Sequence, residues 1–316
     1  MTNSSFTLQT PDGTAVHVHR WLPDGDVRAV VQVAHGMAEH GGRYAYVAEA
    51  LNARGYAVYV NDHRGHGLTA PTEDDLGFFA EERGWSRVLD DLYRLNRRVT
   101  DDHPDVPVYL LGHSMGSFLT QQYLFTFPAT IRGAVLSTTT RYLGPDTEAG
   151  AVLARAEIGR QGPRGRSEVI NALTFGAYNK TFSPNRTPFD FLSRDPEQVD
   201  AYVADPRCGF LCTNRFWLDQ FSGLRVIRQP ERLQSIPRDM PIYVFGGDKD
   251  PMSVGGKGVQ RLLDAYADAG LHQVTSKLYP GGRHEMLNET NRDEVIADLG
   301  AWLDQTTASR GDQPHG

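Results

Sequence analysis

Along the chain, apolar residues gather in short β-branched runs, and longer stretches with helical spacing lie between them. That alternation predicts an α/β fold, a mostly parallel sheet flanked by helices. An opening hairpin is expected from FTLQT, the turn Pro11-Asp12-Gly13 and TAVHVHRWL, whose side chains alternate inward and outward. AVVQVAHG reads as a continuous apolar strand ending in glycine, and the helical YAYVAEALNAR after it is stopped by Gly55. Strand YAVYVND runs into the loop HRGHG. The amphipathic WSRVLDDLYRLNRRV precedes strand VYLLGHS, and the helical SFLTQQYLFTF precedes strand GAVLS.

From residue 139 to residue 236 this rhythm stops. Glycines and prolines are scattered there among short helical patterns, together with Phe175, Tyr178, Phe182, Phe189, Phe191, Phe210, Phe216, Trp217 and Phe221. The rhythm returns with PIYVFGG, VQRLLDAYADAG, VTSKLY and VIADLGAWLDQT. The expected organisation is one core, residues 1–138 and 237–308, with residues 139–236 inserted as a helical cap. The polar tail 309–316 is expected to be loose.

One motif carries chemistry by its context. Gly112-His113-Ser114-Met115-Gly116 follows the β-rich VYLL and precedes a helical pattern. A sharp strand-to-helix turn there lifts a serine hydroxyl above the sheet, and close neighbouring backbone requires small residues two before and two after it. A serine hydroxyl is a poor nucleophile until a base takes its proton. In folds with this elbow, the acid and then the histidine follow the serine along the chain. Of the eleven histidines, only His272, His284 and His315 follow Ser114. His315 lies in the tail and His272 precedes a strand, at the wrong edge. His284 follows VTSKLY in the loop PGGRHE, at the edge where the elbow opens, and is the expected base.

The acid is expected after PIYVFGG, where Asp248 and Asp250 both stand. Asp250 lies further into the loop and precedes Pro251, which stiffens the turn, so it is preferred. Asp248 then caps the turn. An oxyanion needs two preorganised N–H donors. They are expected from Met115, after the nucleophile, and from Met37, where Gly36 lets the backbone turn toward the site. His35 is expected to orient that loop. His63, His66 and His40 lack the spacing of a metal site, so no metal is expected. Glu39, Arg43 and Arg64 read as loop-fixing charges. Gly36, His113, Phe210, Phe216 and Trp217 are the candidate substrate-lining positions.

Composition adds exclusions. Of 316 residues, 40% are apolar and 22% charged, as in ordinary globular chains, and the net charge of -7 argues against a nucleic-acid groove. The two cysteines, Cys208 and Cys212, are too few for a zinc site and read as small apolar side chains. The opening residues lack the charged and apolar regions of a signal peptide, and no apolar run reaches the roughly 18 residues of a membrane span. A cytoplasmic address is expected. Transient visits to a membrane surface remain compatible with it.

Taken together, HGMAEHGGRY, DHRGHG, GW with a downstream VLDDL, GHSMGS, GGDKDP and RHEMLNE closely resemble the monoacylglycerol lipase and lysophospholipase-like branch of the α/β-hydrolases. The resemblance covers about residues 28–137 and 240–304. It implies the α/β-hydrolase fold, cleavage of a small-molecule acyl ester without a cofactor, and a cap that shapes a lipophilic acyl pocket. The family pattern falls on Ser114, Asp250 and His284, with the Met37 and Met115 amides as oxyanion hole. An aminopeptidase or amidase of the same fold would want an acidic group in the cap, for which Glu168, Glu197 and Asp200 are available. Dehalogenase and epoxide hydrolase chemistry needs an aspartate at the elbow, which Ser114 excludes. A non-catalytic ligand receptor would carry a degraded triad, and nothing in this one is degraded.

Overall fold

The computed structural model describes residues 2–141 and 144–308. Its strands are β1 (Thr2–Gln9), β2 (Ala15–Leu22), β3 (Ala29–Ala34), β4 (Tyr56–Asn61), β5 (Val108–His113), β6 (Gly133–Ser137), β7 (Ile242–Gly247) and β8 (Val274–Tyr279). They form one sheet in the order β1-β2-β4-β3-β5-β6-β7-β8. β1 and β2 pair antiparallel, as do β2 and β4, and every later pairing is parallel. The first strand begins at Thr2 rather than at Phe6, because antiparallel pairing with β2 runs on to Thr2 opposite Leu22. Sequence pattern could not show this, since MTNSS has no apolar alternation.

The central strands are apolar on both sides because both faces of the sheet are covered. Successive side chains of a strand point to opposite faces. Leu110, Leu136, Ile242 and Val244 therefore pack on α2 (Gly84–Asp102), α3 (Met115–Thr126) and α10 (Lys257–Asp268). Their neighbours Leu111, Val135, Tyr243 and Phe245 pack on α1 (Ala45–Asn52) and α11 (Arg292–Ala308). Between β6 and β7 the described residues hold helices and no strand. These are α4 (Gly144–Gln161), α5 (Glu168–Asn171), α6 (Ala177–Lys180), α7 (Pro196–Ala204), α8 (Asn214–Ile227) and α9 (Pro230–Leu233). α5 and α6 are joined by a π-helical turn, Ala172–Gly176. Among the described residues no helix is long and apolar enough to cross a membrane. The tail 309–316 and residues 142 and 143 of the inserted segment lie outside the described residues.

The turn from β5 into α3 sets the position of everything above it. Ser114 has φ 52° and ψ −117°, which is strained for a residue with a side chain. A Cβ added to Gly112 would lie 2.3 Å from the Gly116 carbonyl oxygen. A Cβ on Gly116 would lie 1.9 Å from the carbonyl oxygen of Ala34, at the end of β3. Neither overlap can be relieved by turning a side chain, because backbone is hit. We expect Gly116→Ala to destabilise the fold by about 3 kcal/mol, as overpacking does, while Gly25→Ala, with nothing within 4 Å, stays within about 0.5 kcal/mol of wild type. Urea unfolding midpoints decide it, and equal midpoints for the two variants would refute the steric account.

Candidate active site

Three loops at one edge of the sheet meet over the turn at Ser114. Its Oγ is 3.0 Å from Nε2 of His284, and His284 Nδ1 is 2.8 Å from Oδ1 of Asp250. The structure thus brings Ser114, His284 and Asp250 into one hydrogen-bonded chain. Asp250 is fully buried, and the backbone N–H groups of Met252 and Ser253 donate to its two oxygens at 3.2 and 2.8 Å. Burial alone would raise the Asp250 pKa, but the charge and hydrogen bond of His284, with the hydrogen bonds from Ser253, hold it below the usual range. Asp248 points elsewhere and accepts from the Gly281 N–H at 2.7 Å, closing the loop after β8.

A cavity of about 390 Å³ opens above Ser114. Met37, Met115 and His284 line it beside Ser114, and Trp217, Phe221, Leu224, Leu153, Ile170 and Leu173 make its apolar walls. Leu173 and Thr174 enter it from the π-helical turn. Met252, which sequence reasoning passed over, also lines it, with Sδ 3.9 Å from Ser114 Oγ. The residue follows Asp250-Pro251, and an apolar side chain immediately beyond the acid was the available signal.

Four of the five expected lining residues, Gly36, His113, Phe210 and Phe216, do not line this cavity, and Trp217 does. Phe216 is fully buried and packs on Phe79, ring centroids 4.6 Å apart, because α8 turns it inward while Trp217 faces the cavity. Phe210 lies against the His66 ring at 5.3 Å. His113 is buried, with its ring edge-on to His284 at 5.3 Å and Nδ1 3.3 Å from Ser137 Oγ, since strand alternation turns it away from the opening. Gly36 is placed by contact instead. A Cβ there would meet Glu39 Oε1 at 2.8 Å and Ser114 Cβ at 3.4 Å.

The loop carrying Gly36 and Met37 is held by buried polar groups. The His63 N–H donates to His35 Nε2 at 2.9 Å, so the His35 proton sits on Nδ1 and is given to the Gly36 carbonyl oxygen at 2.7 Å. Burial and the neighbouring imidazoles keep His35 neutral, and burial takes His63 down to about 3 and His66 to about 4. Tyr202 of α7 donates its hydroxyl to the Ala38 carbonyl oxygen at 2.8 Å, and the Gly209 N–H donates to the same oxygen at 2.9 Å. Donor groups that could face one metal ion occur in two other places, His19-His40-Asp62 and His40-Asp205-Cys208. In the second, the Gly42 N–H donates to His40 Nδ1, which leaves Nε2 to donate to Asp205 Oδ2 at 2.9 Å rather than to bind an ion. Cys208 and Cys212 are buried free thiols in a non-helical stretch, and burial pushes both pKa values up.

Beneath the site Arg43 is clamped between two buried carboxylates. Its Nη1 donates to Glu39 Oε2 at 2.7 Å, and its two Nη groups donate to the Glu285 oxygens at 2.7 and 2.6 Å. Glu39 also accepts from the Gly36 N–H at 2.5 Å. Burial would raise the Glu285 pKa, but the Arg43 charge and hydrogen bonds hold it well below the carboxylate range. Arg64 does similar work lower down, between Asp91 of α2 and Asp12 of the first turn, at 2.6 Å each. Removing one partner of a buried pair strands the other charge, at about 3–5 kcal/mol. Arg43→Ala, which strands two, should lose at least that much in chemical denaturation. A loss under about 1 kcal/mol would show the pair to be solvated.

These observations accord with the comparisons. The family model Hydrolase_4, described as serine aminopeptidase S33, matches residues 25–291. The chain is 32% identical to a monoacylglycerol lipase of Mycolicibacterium smegmatis over 96% of this chain and 97% of that one. It is 26% identical to the Homo sapiens monoglyceride lipase, over 96% and 91% of the two chains. A solved structure of a thermostable carboxyl esterase from Bacillus coagulans, in complex with glycerol, superposes with a TM-score of 0.89 at 28% identity, over 98% of this chain and all of that one. The chain belongs to the serine aminopeptidase S33 family, Hydrolase_4, and within the α/β-hydrolases to its monoglyceride lipase-like branch.

Proposed function

We propose that this carboxylic ester hydrolase cleaves monoacylglycerols or similar monoacyl esters through an acyl-enzyme on Ser114. The observation that carries the reading is the Ser114–His284–Asp250 chain at the floor of an apolar cavity of about 390 Å³. His284 takes the Ser114 proton as Oγ attacks the ester carbon, then gives it to the departing alcohol. Water, deprotonated by the same imidazole, releases the fatty acid. Asp250 stabilises the imidazolium, and the N–H groups of Met37 and Met115 receive the oxyanion. None of these steps calls for a cofactor. Residues 139–236 act as the cap that shapes the acyl pocket. A monoacyl lipid partitions into bilayers, so the reading includes a cytoplasmic enzyme in transient contact with a membrane surface, where the exposed Leu173 at the cavity and Val169 would be the first to touch lipid.

A second reading, removal of an amino-terminal residue, has one observation in its favour. Asp146, exposed in the first turn of α4, lines the cavity and could meet an ammonium group. The carboxylates read from sequence do not line it. Glu168 and Glu197 lie in the first turns of α5 and α7, and Asp200 pairs with Arg186. Parallel assays on p-nitrophenyl esters and amino-acid arylamides separate the two readings, and faster turnover of the arylamides would overturn ours.

The pH dependence tests the roles. Burial alone would lower the His284 pKa, but the Asp250 charge and hydrogen bond, with the charges of Glu285 and Glu39, outweigh it and raise it above 6.5. A base must be neutral to accept a proton, so kcat/KM should fall as pH drops through a midpoint above 6.5. Asp250→Asn removes the main raising cause. It should shift that midpoint downward and cut kcat by about 10⁴-fold, whereas Asp248→Asn should be mild in rate. Ser114→Ala should abolish fluorophosphonate labelling. A wild-type midpoint below 6.5, or near-normal turnover of Asp250→Asn, would contradict the assignment.

Chain-length preference tests the cavity. Each buried methylene contributes about 0.8 kcal/mol, close to fourfold in kcat/KM, until the space is full. Efficiency should therefore climb from acetyl to octanoyl esters. A maximum at acetyl would mean that the apolar walls do not hold the acyl chain.

A further inference from the structure

A second cavity, of about 520 Å³, shares no lining residue with the one at Ser114. It lies where both ends of the inserted helical segment meet the core helix α10. Three arginines line it, together with Asp264 and Asp268. Arg141 follows β6 on the way into α4, Arg228 follows α8 on the way out, and Arg261 stands on α10.

The partners of these arginines leave donors over. Arg141 Nη2 donates to the Arg228 carbonyl oxygen at 2.8 Å, and Arg261 Nε donates to the Arg141 carbonyl oxygen at 3.1 Å. Capping the end of α8 thus accounts for one nitrogen of Arg141. Nη1 of Arg141 and Nη1 of Arg228 have no acceptor among the described residues but are sealed from solvent, so a ligand meets the other guanidinium nitrogens, of which neither Nη of Arg261 has an acceptor among those residues. Among those residues, the carboxylate nearest to any of the three is Glu148, 3.7 Å from Arg228 Nη2. Asp264, although it lines the cavity, accepts from Gln260. Burial and the charge of Arg228 together push the Arg141 pKa down.

Three arginines around one cavity repel one another unless an anion or solvent lies between them, and their remaining N–H groups need acceptors. Guanidinium forks match the oxygens of a phosphate group, whose two charges would offset the crowded cations. We propose that this cavity binds a phosphate-bearing anion through Arg141, Arg228 and Arg261. Bound there, the anion ties both connections of the inserted segment to α10. The cavity has room beyond a bare phosphate, so the same chemistry could come from free phosphate or from a small phosphate ester.

Thermal unfolding of the intact chain tests this with inorganic phosphate and with glycerol 3-phosphate, each against sodium chloride of equal ionic strength. With a Kd on the order of 1 mM, ten times that concentration should raise Tm by about 2 °C above the chloride control. Arg261→Gln and Arg141→Gln should abolish the rise, while Ser114→Ala should keep it, which separates this site from the catalytic proposal. If Arg141→Gln does not fold, Arg261→Gln, whose side chain makes a single bond among the described residues, to a backbone carbonyl, still decides the question by isothermal titration. A larger rise with glycerol 3-phosphate identifies an ester as the ligand, and an equal rise identifies free phosphate. No rise beyond chloride, or the same rise in Arg261→Gln, overturns the proposal.

Discussion

The arrangement at the top of the sheet depends on one buried cation. Arg43 stands between Glu39, in the loop after β3, and Glu285, in the loop after β8. These strands are separated in the sheet by β5, β6 and β7. Glu39 holds the Gly36 N–H, and Glu285 directly follows His284. A single guanidinium therefore joins the loop that carries Met37 to the loop that carries His284. Such a group is costly to bury and far more costly to leave unpaired, so its three charges come as a set.

The elbow supplies the complementary constraint from below. At Gly112 and Gly116 the backbone of α3 lies so close to β3 and β5 that a methyl group has no space. The strain at Ser114 is thereby imposed by its surroundings, and the hydroxyl stays within hydrogen-bonding distance of His284 Nε2. Positioning from below by backbone contact and from the side by a buried ion pair leaves the upper side open. The inserted segment covers that side with apolar walls from α4, α8 and the π-helical turn between α5 and α6. It is also tied to the loop after β3, since Tyr202 and the Gly209 N–H both bond the Ala38 carbonyl oxygen. The inserted segment and the loop that carries Met37 are thus parts of one hydrogen-bonded assembly.

The alternation of apolar runs with helical stretches determined the α/β class, because burial on both faces of a parallel sheet forces continuous apolar strands. Motif and chain order pointed to Ser114 and His284 and narrowed the acid to Asp248 or Asp250, and the structure brings Asp250 to His284. Which side chains enter the cavity was decided only by tertiary structure. Aromatic content told of an apolar interior, but Phe216 and Trp217 are adjacent in one helix and point in different directions, one into the core and one to the cavity at Ser114. The spacing of Arg43 from Glu285 along the chain carries no trace of their contact, and neither does that of Arg141 from Arg228 and Arg261. Long-range pairings of charged groups are set by how loops fold back over the sheet, and local pattern records periodicity within one element rather than the meeting of several.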